Sequence, residues 1–321
     1  MRVLVTGMGG ELGTRVAQIL EADPKVTDIL GVDFVPPRRR LQRAEFTRID
    51  PLNAERQEKV IAEFAPQWVV HFGVYEPHSR MAPQEADART RHSTVSSLRA
   101  AAKGGALERV VVRSGLEIYG RGGARARVPD ESVPVAPSSL YGRMCRRVES
   151  VATAIGRRHE VPVAAIRMAP VLCSHVPSPL GRILRLPAVP IPAFADPPFS
   201  LCAPEDACQA MVRAVQRGLD GPINVVGPGA ASPWQIVRFG NRIPIPVVGP
   251  LWALAARGTE VVGAPMPDHV SELLSAGRTG DTGRIGELGM DSLTPTQVIA
   301  HDVYESAEVV TIKPTSLAVA R

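Results

Sequence analysis

A glycine-rich turn between residues 6 and 13 limits what this chain can fold into more than any other feature. Arg2–Thr6 is a short β-branched run, Glu11–Leu20 has the apolar spacing of an amphipathic helix, and Thr6-Gly7-Met8-Gly9-Gly10-Glu11-Leu12-Gly13 joins them. In such a strand–turn–helix unit Gly7 permits the tight turn, Gly10 lets the backbone come close to a phosphate, and Gly13 lets helix and strand touch. The helix N-terminus adds unpaired N–H groups and a partial positive charge. Together these suit the pyrophosphate of a dinucleotide. Leu30-Gly31-Val32-Asp33 closes a second apolar run twenty residues after Gly13. A carboxylate there would accept hydrogen bonds from an adenosine ribose.

Bulk properties narrow the class further. With 321 residues, 45% hydrophobic content and a mean hydropathy of +0.02, the chain can bury one large α/β unit and a smaller appendage. Cys145, Cys173, Cys202 and Cys208 form no C-x-x-C pair, so no metal site is expected. The net charge is +5, but the only dense basic run is Arg38-Arg39-Arg40 and aromatics make up 4%. That composition argues for an arginine-rich solvated surface and against nucleic-acid binding. The most apolar window, Ile243–Ala256, is broken by Pro244, Pro246, Gly249 and Pro250 and falls short of the ~20 residues a spanning helix needs. No signal peptide is expected before Arg2, and the expected location is cytoplasmic.

Taken in order, Ala44–Ile49 predicts a third strand ending in Asp50-Pro51-Leu52, with Asp50 able to cap a helix over Asn53–Phe64. Gln67–Gly73 predicts a buried strand, Gln84–Ala102 a helix, and Arg109–Arg113 and Val161–Ile166 further strands. His71, within the Gln67–Gly73 strand, reads as a core histidine, while Tyr75 and Glu76 follow that strand's carboxyl end, where ligands sit in open α/β sheets. Prolines at 170, 177, 179, 187, 190, 192, 197 and 198 then predict an irregular lobe of crossing loops. Within and after it come a short strand over Phe199–Ala203, a helix over Pro204–Arg217, a strand over Gly221–Gly227, a helix capped by Ser232-Pro233 and a final helix over Pro295–Ser306. The expected fold class is α/β, a Rossmann-type doubly wound parallel sheet with a smaller C-terminal α+β substrate lobe. The expected boundaries are 1–168, 169–308 and a tail over 309–321.

The opening Thr-Gly-x-x-Gly-x-x-Gly resembles the extended short-chain dehydrogenase/reductase family, the NAD-dependent sugar-nucleotide epimerases and dehydratases of UDP-glucose 4-epimerase type. Ser114-Gly115-Leu116-Glu117-Ile118-Tyr119-Gly120 is similar to that family's S-S-x-x-V-Y-G segment, and Pro137–Glu149 to its P-x-S-x-Y-G-x-S-K-x-x-x-E helix start. Fragments near Arg167, Asp206, Gly221–Gly227 and Arg284–Met290 extend the likeness to about Ser306. The resemblance implies a cofactor site of Gly7, Met8, Gly9, Gly10, Glu11, Leu12, Gly13, Asp33, Arg38, Asp50, Pro51, Phe72, Gly73 and Val74. In it Asp50 faces the adenine, and the 72–74 segment passes under the nicotinamide-side ribose. NAD is the implied cofactor. NADP is the alternative through the arginine triplet, although a carboxylate at Asp33 would repel a 2′-phosphate.

The resemblance also implies Tyr141 as the catalytic tyrosine, with Ser114 and Cys145 at the positions of its partners. Here the chain departs from the family. Gly115 stands where a hydroxyl belongs, Cys145 where the lysine belongs, Arg91 and Pro170 where asparagines belong, and Phe199 where an arginine would meet substrate phosphate. Asp206 keeps the family's place, or serves as a first-turn helix acid. At an ordinary pKa near 10 only about 0.1% of a tyrosine is phenolate at pH 7, and a thiol supplies no cation to raise that fraction. Arg146 lies about 140° around the helix from Tyr141 and Arg143 is also off its face, which leaves Arg91 on the preceding helix as the cation that could reach in.

The implied function is NAD-dependent epimerase/dehydratase chemistry on a nucleotide sugar or related small molecule, by transient hydride transfer at an atypical site. The alternatives are a catalytically silent dinucleotide-binding sensor and an NADP(H)-dependent carbonyl reductase. The family habit implies a homodimer.

Overall fold

The computed structural model describes residues 1–121, 128–173, 177–290 and 292–304. Its centre is a parallel sheet. Strands β1 (Arg2–Thr6), β2 (Asp28–Asp33), β3 (Glu45–Arg48), β4 (Trp68–His71), β5 (Arg109–Gly115) and β6 (Val163–Met168) are joined by β8 (Gly221–Val225), in the spatial order β3-β2-β1-β4-β5-β6-β8. β1, β4 and most of β5 are apolar and buried, as strands covered on both faces must be. Helices α1 (Glu11–Glu21) and α6 (Pro204–Arg217) cover one face; α2 (Ala54–Phe64), α3 (Pro83–Lys103) and α4 (Leu140–His159) cover the other. The fold class is therefore the expected doubly wound α/β sheet. Chain direction across the sheet reverses between β1 and β4, which pair in register Thr6↔His71, and the crevice at the carboxyl ends of these strands is where such folds bind ligands.

At that junction His71 is fully buried. Its Nε2 donates to Thr94 Oγ1 (3.0 Å), whose own hydroxyl donates to the Thr90 carbonyl, so Nδ1 accepts from Thr6 Oγ1 (2.7 Å). This fixes a neutral tautomer and makes His71 a core group.

The second lobe is more ordered than its prolines suggest. It contains α5 (Pro179–Leu184), β7 (Ala188–Pro192), α7 (Pro233–Phe239), β9 (Ile243–Val247), α8 (Trp252–Val261), α9 (Asp268–Ala276) and α10 (Thr296–Asp302). β7 and β9 form a two-stranded parallel sheet in which prolines alternate at 190, 192, 244 and 246. Both strands are edges, so the missing N–H groups can fall on the unpaired side. Leu180, Ile183, Phe199, Leu201, Val237 and Leu273 build this lobe's core.

Several local expectations need correction. Phe199–Ala203 is not a strand but an extended segment held by isolated bridges, Phe199 to Ala231 and Arg278, and Cys202 to Val171. Helix α2 is capped by Asn53, whose side chain accepts from the Arg56 N–H (3.1 Å), not by Asp50, which instead takes the Leu52 N–H (3.0 Å). β6 runs to Met168 because it continues to pair with β8, and the final helix ends at Asp302. The tail over 309–321 lies outside the described residues. Among the described residues no helix is long and apolar enough to cross a membrane, and no group of three His, Cys, Asp or Glu side chains could hold a metal ion.

Burial pushes the His71 pKa down to about 3 from an ordinary value of 6.5. Its contribution to stability is therefore complete above pH 6.5 and is lost as the pH falls from there towards 3. Thermal unfolding in that window should show Tm dropping with pH, and His71→Gln should remove that part of the slope.

Candidate active site

The crevice begins at the turn after β1. Gly7 adopts φ +70°, its N–H bonds to the Val32 carbonyl (2.9 Å), and a Cβ on it would stand 2.7 Å from the Phe72 backbone. A Cβ on Gly13 would run into the Gly7 carbonyl. Both positions are closed to other residues by backbone contact. The first turn of α1, whose N–H groups have no intrahelical partner, opens on a cleft lined there by Gly7, Gly10, Glu11, Leu12 and Gly13. These donors and the glycine cradle fit a pyrophosphate. Glu11 beside them is buried and bonded to Arg15 (2.7 Å) and Arg39 (2.8 Å). Burial opposes its charge, but the two arginines outweigh it and hold the carboxyl below its ordinary pKa.

Asp33 closes one end of the cleft. Its carboxylate accepts from the N–H groups of Gly9 (3.0 Å) and Phe34 (2.7 Å) and from the Tyr75 hydroxyl (3.4 Å). Burial nonetheless raises its pKa to about 6. The rings of Phe34 and Tyr75 lie 5.7 Å apart beside it, and the Arg89 guanidinium sits 4.5 Å from the Phe34 centroid while pairing with Asp50 (2.6 Å).

The other sequence-derived cofactor residues divide. Phe72 and Val74 line the cleft. Met8 packs in the core against Gly31, Gly9 spends its N–H on Asp33, and Gly73 backs onto Ser93. Asp50 and Pro51 lie outside the lining, and Arg38 is exposed, its N–H bonded to Thr14 Oγ1 (3.1 Å).

At the opposite end stands Tyr141, in the first turn of α4, which is capped by Ser139 accepting from the Gly142 N–H (3.2 Å). Its buried ring is 5.0 Å from that of His269 on α9, and His269 Nε2 meets Glu76 Oε1 at 3.1 Å. Ser114, Gly115 and Glu117 share the wall with Tyr141. A Cβ on Gly115 would strike Glu117 Oε2, so the carboxylate occupies the space a hydroxyl-bearing side chain would need. Glu117 is held there by Arg278 (3.2 Å), which also faces Glu272 (3.6 Å), which in turn accepts from Ser138 Oγ (2.9 Å). All three charged side chains are almost completely buried. Cys145 lies behind this wall in the core, beside Ser114, and burial pushes its thiol pKa up, so it remains a neutral thiol.

Arg91 is exposed and supplies no charge to Tyr141; the cation in the wall is Arg113, from β5. The sequence signal for it was a charged residue interrupting the apolar run Val110-Val111-Val112. Beyond Tyr141 the lining is largely apolar, with Met168, Ala169, Pro170, Val171, Leu180, Val270 and Leu273.

Residues 3–227 match the NAD dependent epimerase/dehydratase family. The chain belongs to that family. An uncharacterized protein of Mycobacterium tuberculosis is 30% identical over 330 residues, spanning 94% of this chain and 82% of its own length. Among solved structures, the UDP-glucose 4-epimerase of Thermus thermophilus in complex with NAD superposes with a TM-score of 0.73 at 18% identity, covering 95% of this chain and 98% of that one. The UDP-glucose 4-epimerase of Thermotoga maritima, solved with UDP-glucose, gives 0.72 at 17% identity, covering 95% and 96%. At these identities the likeness to the solved structures is one of fold. For a member of the epimerase/dehydratase family, the buried Glu117–Arg278–Glu272 cluster is a structural element in its own right. Glu117→Ala should destabilise the protein by about 3–5 kcal/mol in denaturant titrations, because it removes one of the two carboxylates that balance a buried guanidinium.

Proposed function

We propose that this family member binds NAD across the cleft and exchanges a hydride with a carbon bearing a hydroxyl, with Tyr141 moving the hydroxyl proton. The observation that carries the reading is that Tyr141 and the glycine cradle line one continuous cleft. The cradle would hold the pyrophosphate, Asp33 the adenosine ribose, and Phe72 and Val74 the wall beside the nicotinamide ribose. Bound nicotinamide supplies the hydride acceptor, and the protein's part is to orient the hydroxyl, exclude water and take up its proton. Asp33 favours NAD over NADP, since Arg39 is committed to Glu11 and a second negative group beside the Asp33 carboxylate would be repelled. A nucleotide sugar or a related hydroxyl compound is the substrate class that family membership supports.

A second reading, a dinucleotide-binding protein without turnover, is favoured by one feature: the Glu117 carboxylate fills the place of a catalytic hydroxyl. Replacement of Tyr141 separates the two. In Tyr141→Phe, fluorescence titration should give NADH affinity within about twofold of wild type. Turnover over a panel of nucleotide sugars and simpler secondary alcohols should fall by about 10²–10⁴-fold. Unchanged behaviour in every assay would leave the silent reading.

Binding should also depend on pH through Asp33. With a pKa near 6 in the free protein, its proton must leave before the carboxylate can accept ribose hydroxyls. NADH affinity should therefore rise by up to about tenfold per pH unit as the pH approaches 6 from below and level off above it, and Asp33→Asn should flatten the curve.

A further inference from the structure

Among the described residues Arg113 is a half-buried charge with no hydrogen-bonded or ion-paired partner. It leaves the apolar run of β5 and reaches the cleft wall, and among the described residues its guanidinium makes no ion pair and no hydrogen bond; its Nε is enclosed and unpartnered. Other arginines near the cleft are committed. Arg278 lies between Glu117 and Glu272, Arg89 is held by Asp50 and Glu85, Arg15 and Arg39 by Glu11, and Arg182 by the carbonyls of His78 and Ser79. Arg80 stands on the exposed rim. Arginine stays protonated at any working pH, so Arg113 brings a positive charge to the cleft wall without a carboxylate paired to it among the described residues.

The groups within its electrostatic reach are Tyr141 and Cys145 from α4, Glu76 from the segment after β4, and Glu117 from the turn after β5. The ring of His269, from α9, lies tilted against that of Tyr141. Glu117 is bonded to Arg278 and Glu76 to His269, and Cys145 remains a thiol. The acceptor left without a cation of its own is the Tyr141 oxygen. We propose that Arg113 is the counter-charge of Tyr141, the positioning residue that stabilises the phenolate formed or required as the substrate's proton is exchanged. Tyr141 then takes the hydroxyl proton as the hydride departs, and Arg113 keeps its own protons throughout. Burial, with smaller contributions from Cys145, Glu76 and Glu117, holds this phenol above its ordinary pKa, and Arg113 is the influence that pulls it back down.

The inference rests on Tyr141 being the proton-moving group, and its test does not need the substrate. The full-length protein is produced with 3-fluorotyrosine, which brings phenol ionisation into an accessible range, and 19F NMR follows its four tyrosines against pH. Loss of one resonance in Tyr141→Phe assigns Tyr141. In Arg113→Met, and in Arg113→Gln as a second neutral replacement, the Tyr141 midpoint should rise by at least about one pH unit, a tenfold loss of phenolate at a given pH. In Arg113→Lys it should stay within about half a unit of wild type. An unmoved midpoint in the neutral variants overturns the proposal. So does an Arg113→Lys shift as large as theirs, which would mark a packing role, or a wild-type Tyr141 resonance that does not titrate by pH 10. NADH titration of the same samples keeps the two readings apart. Absent binding in wild type would sink the proposed function, whereas intact binding with an unresponsive Tyr141 would sink only the role given to Arg113.

Discussion

Backbone meets backbone at the turn after β1, and the rest of the molecule is arranged around that contact. Gly13 rests on the Gly7 carbonyl, and Gly7 rests on Phe72 at the end of β4. No side chain intervenes at either point, so α1 starts directly over the gap between β1 and β4, where the strand order reverses. The reversal leaves the carboxyl ends of these two strands uncovered by a crossing connection. The binding surface is thus made largely of amide groups, and its tolerance of substitution is set by space rather than by chemistry. Asp33, Phe72 and Val74 then follow from register: β2 and β4 flank β1, and their last residues emerge on either side of the glycine turn.

A second constraint ties the lobes together. Glu117 sits in the turn after β5, whereas Glu272 and Arg278 belong to α9 and the segment after it. Three buried charges, satisfied by one another and by Ser138, Gly120 and Arg121, hold α9 against the turn after β5. Well-packed apolar groups could stabilise the junction as effectively, but a partly dismantled cluster would be much worse than either. The same cluster explains Gly115. The position is small because a carboxylate bound to an arginine more than 150 residues away needs the room.

Features set by near neighbours are legible in the sequence, and features set by distant packing are not. The glycine turn, Asp33 and the helix over Pro204–Arg217 could be read from the sequence because each depends on neighbours within a few residues, whereas Tyr141 came into view through the resemblance of Pro137–Glu149. The two-stranded sheet of β7 and β9 could not, since its alternating prolines resemble an irregular segment until the strands are paired as mutual edges. Asp50 as a cap was a plausible local reading, but Asn53 lies nearer the first helical N–H groups and Arg89 draws Asp50 elsewhere. Glu272, Arg278 and His269 carried no local signal at all. They enter the site through the packing of α9, not through any motif.

Arg113 shows why motif spacing alone misjudges such a site. Read along α4, the helical face of Tyr141 lacks a cation, because the residue one turn on is a buried thiol. Charge, however, acts through space, and a strand lying beneath a helix can present it as well as the helix itself. β5 gives up one position of its apolar run to do so, and among the described residues that charge has no carboxylate bonded to it, although Glu117 and Glu76 act on it electrostatically. Both carboxylates are instead engaged by groups of the second lobe, His269 and Arg278. The lobe that closes the cleft is therefore also what keeps the Arg113 charge available inside it.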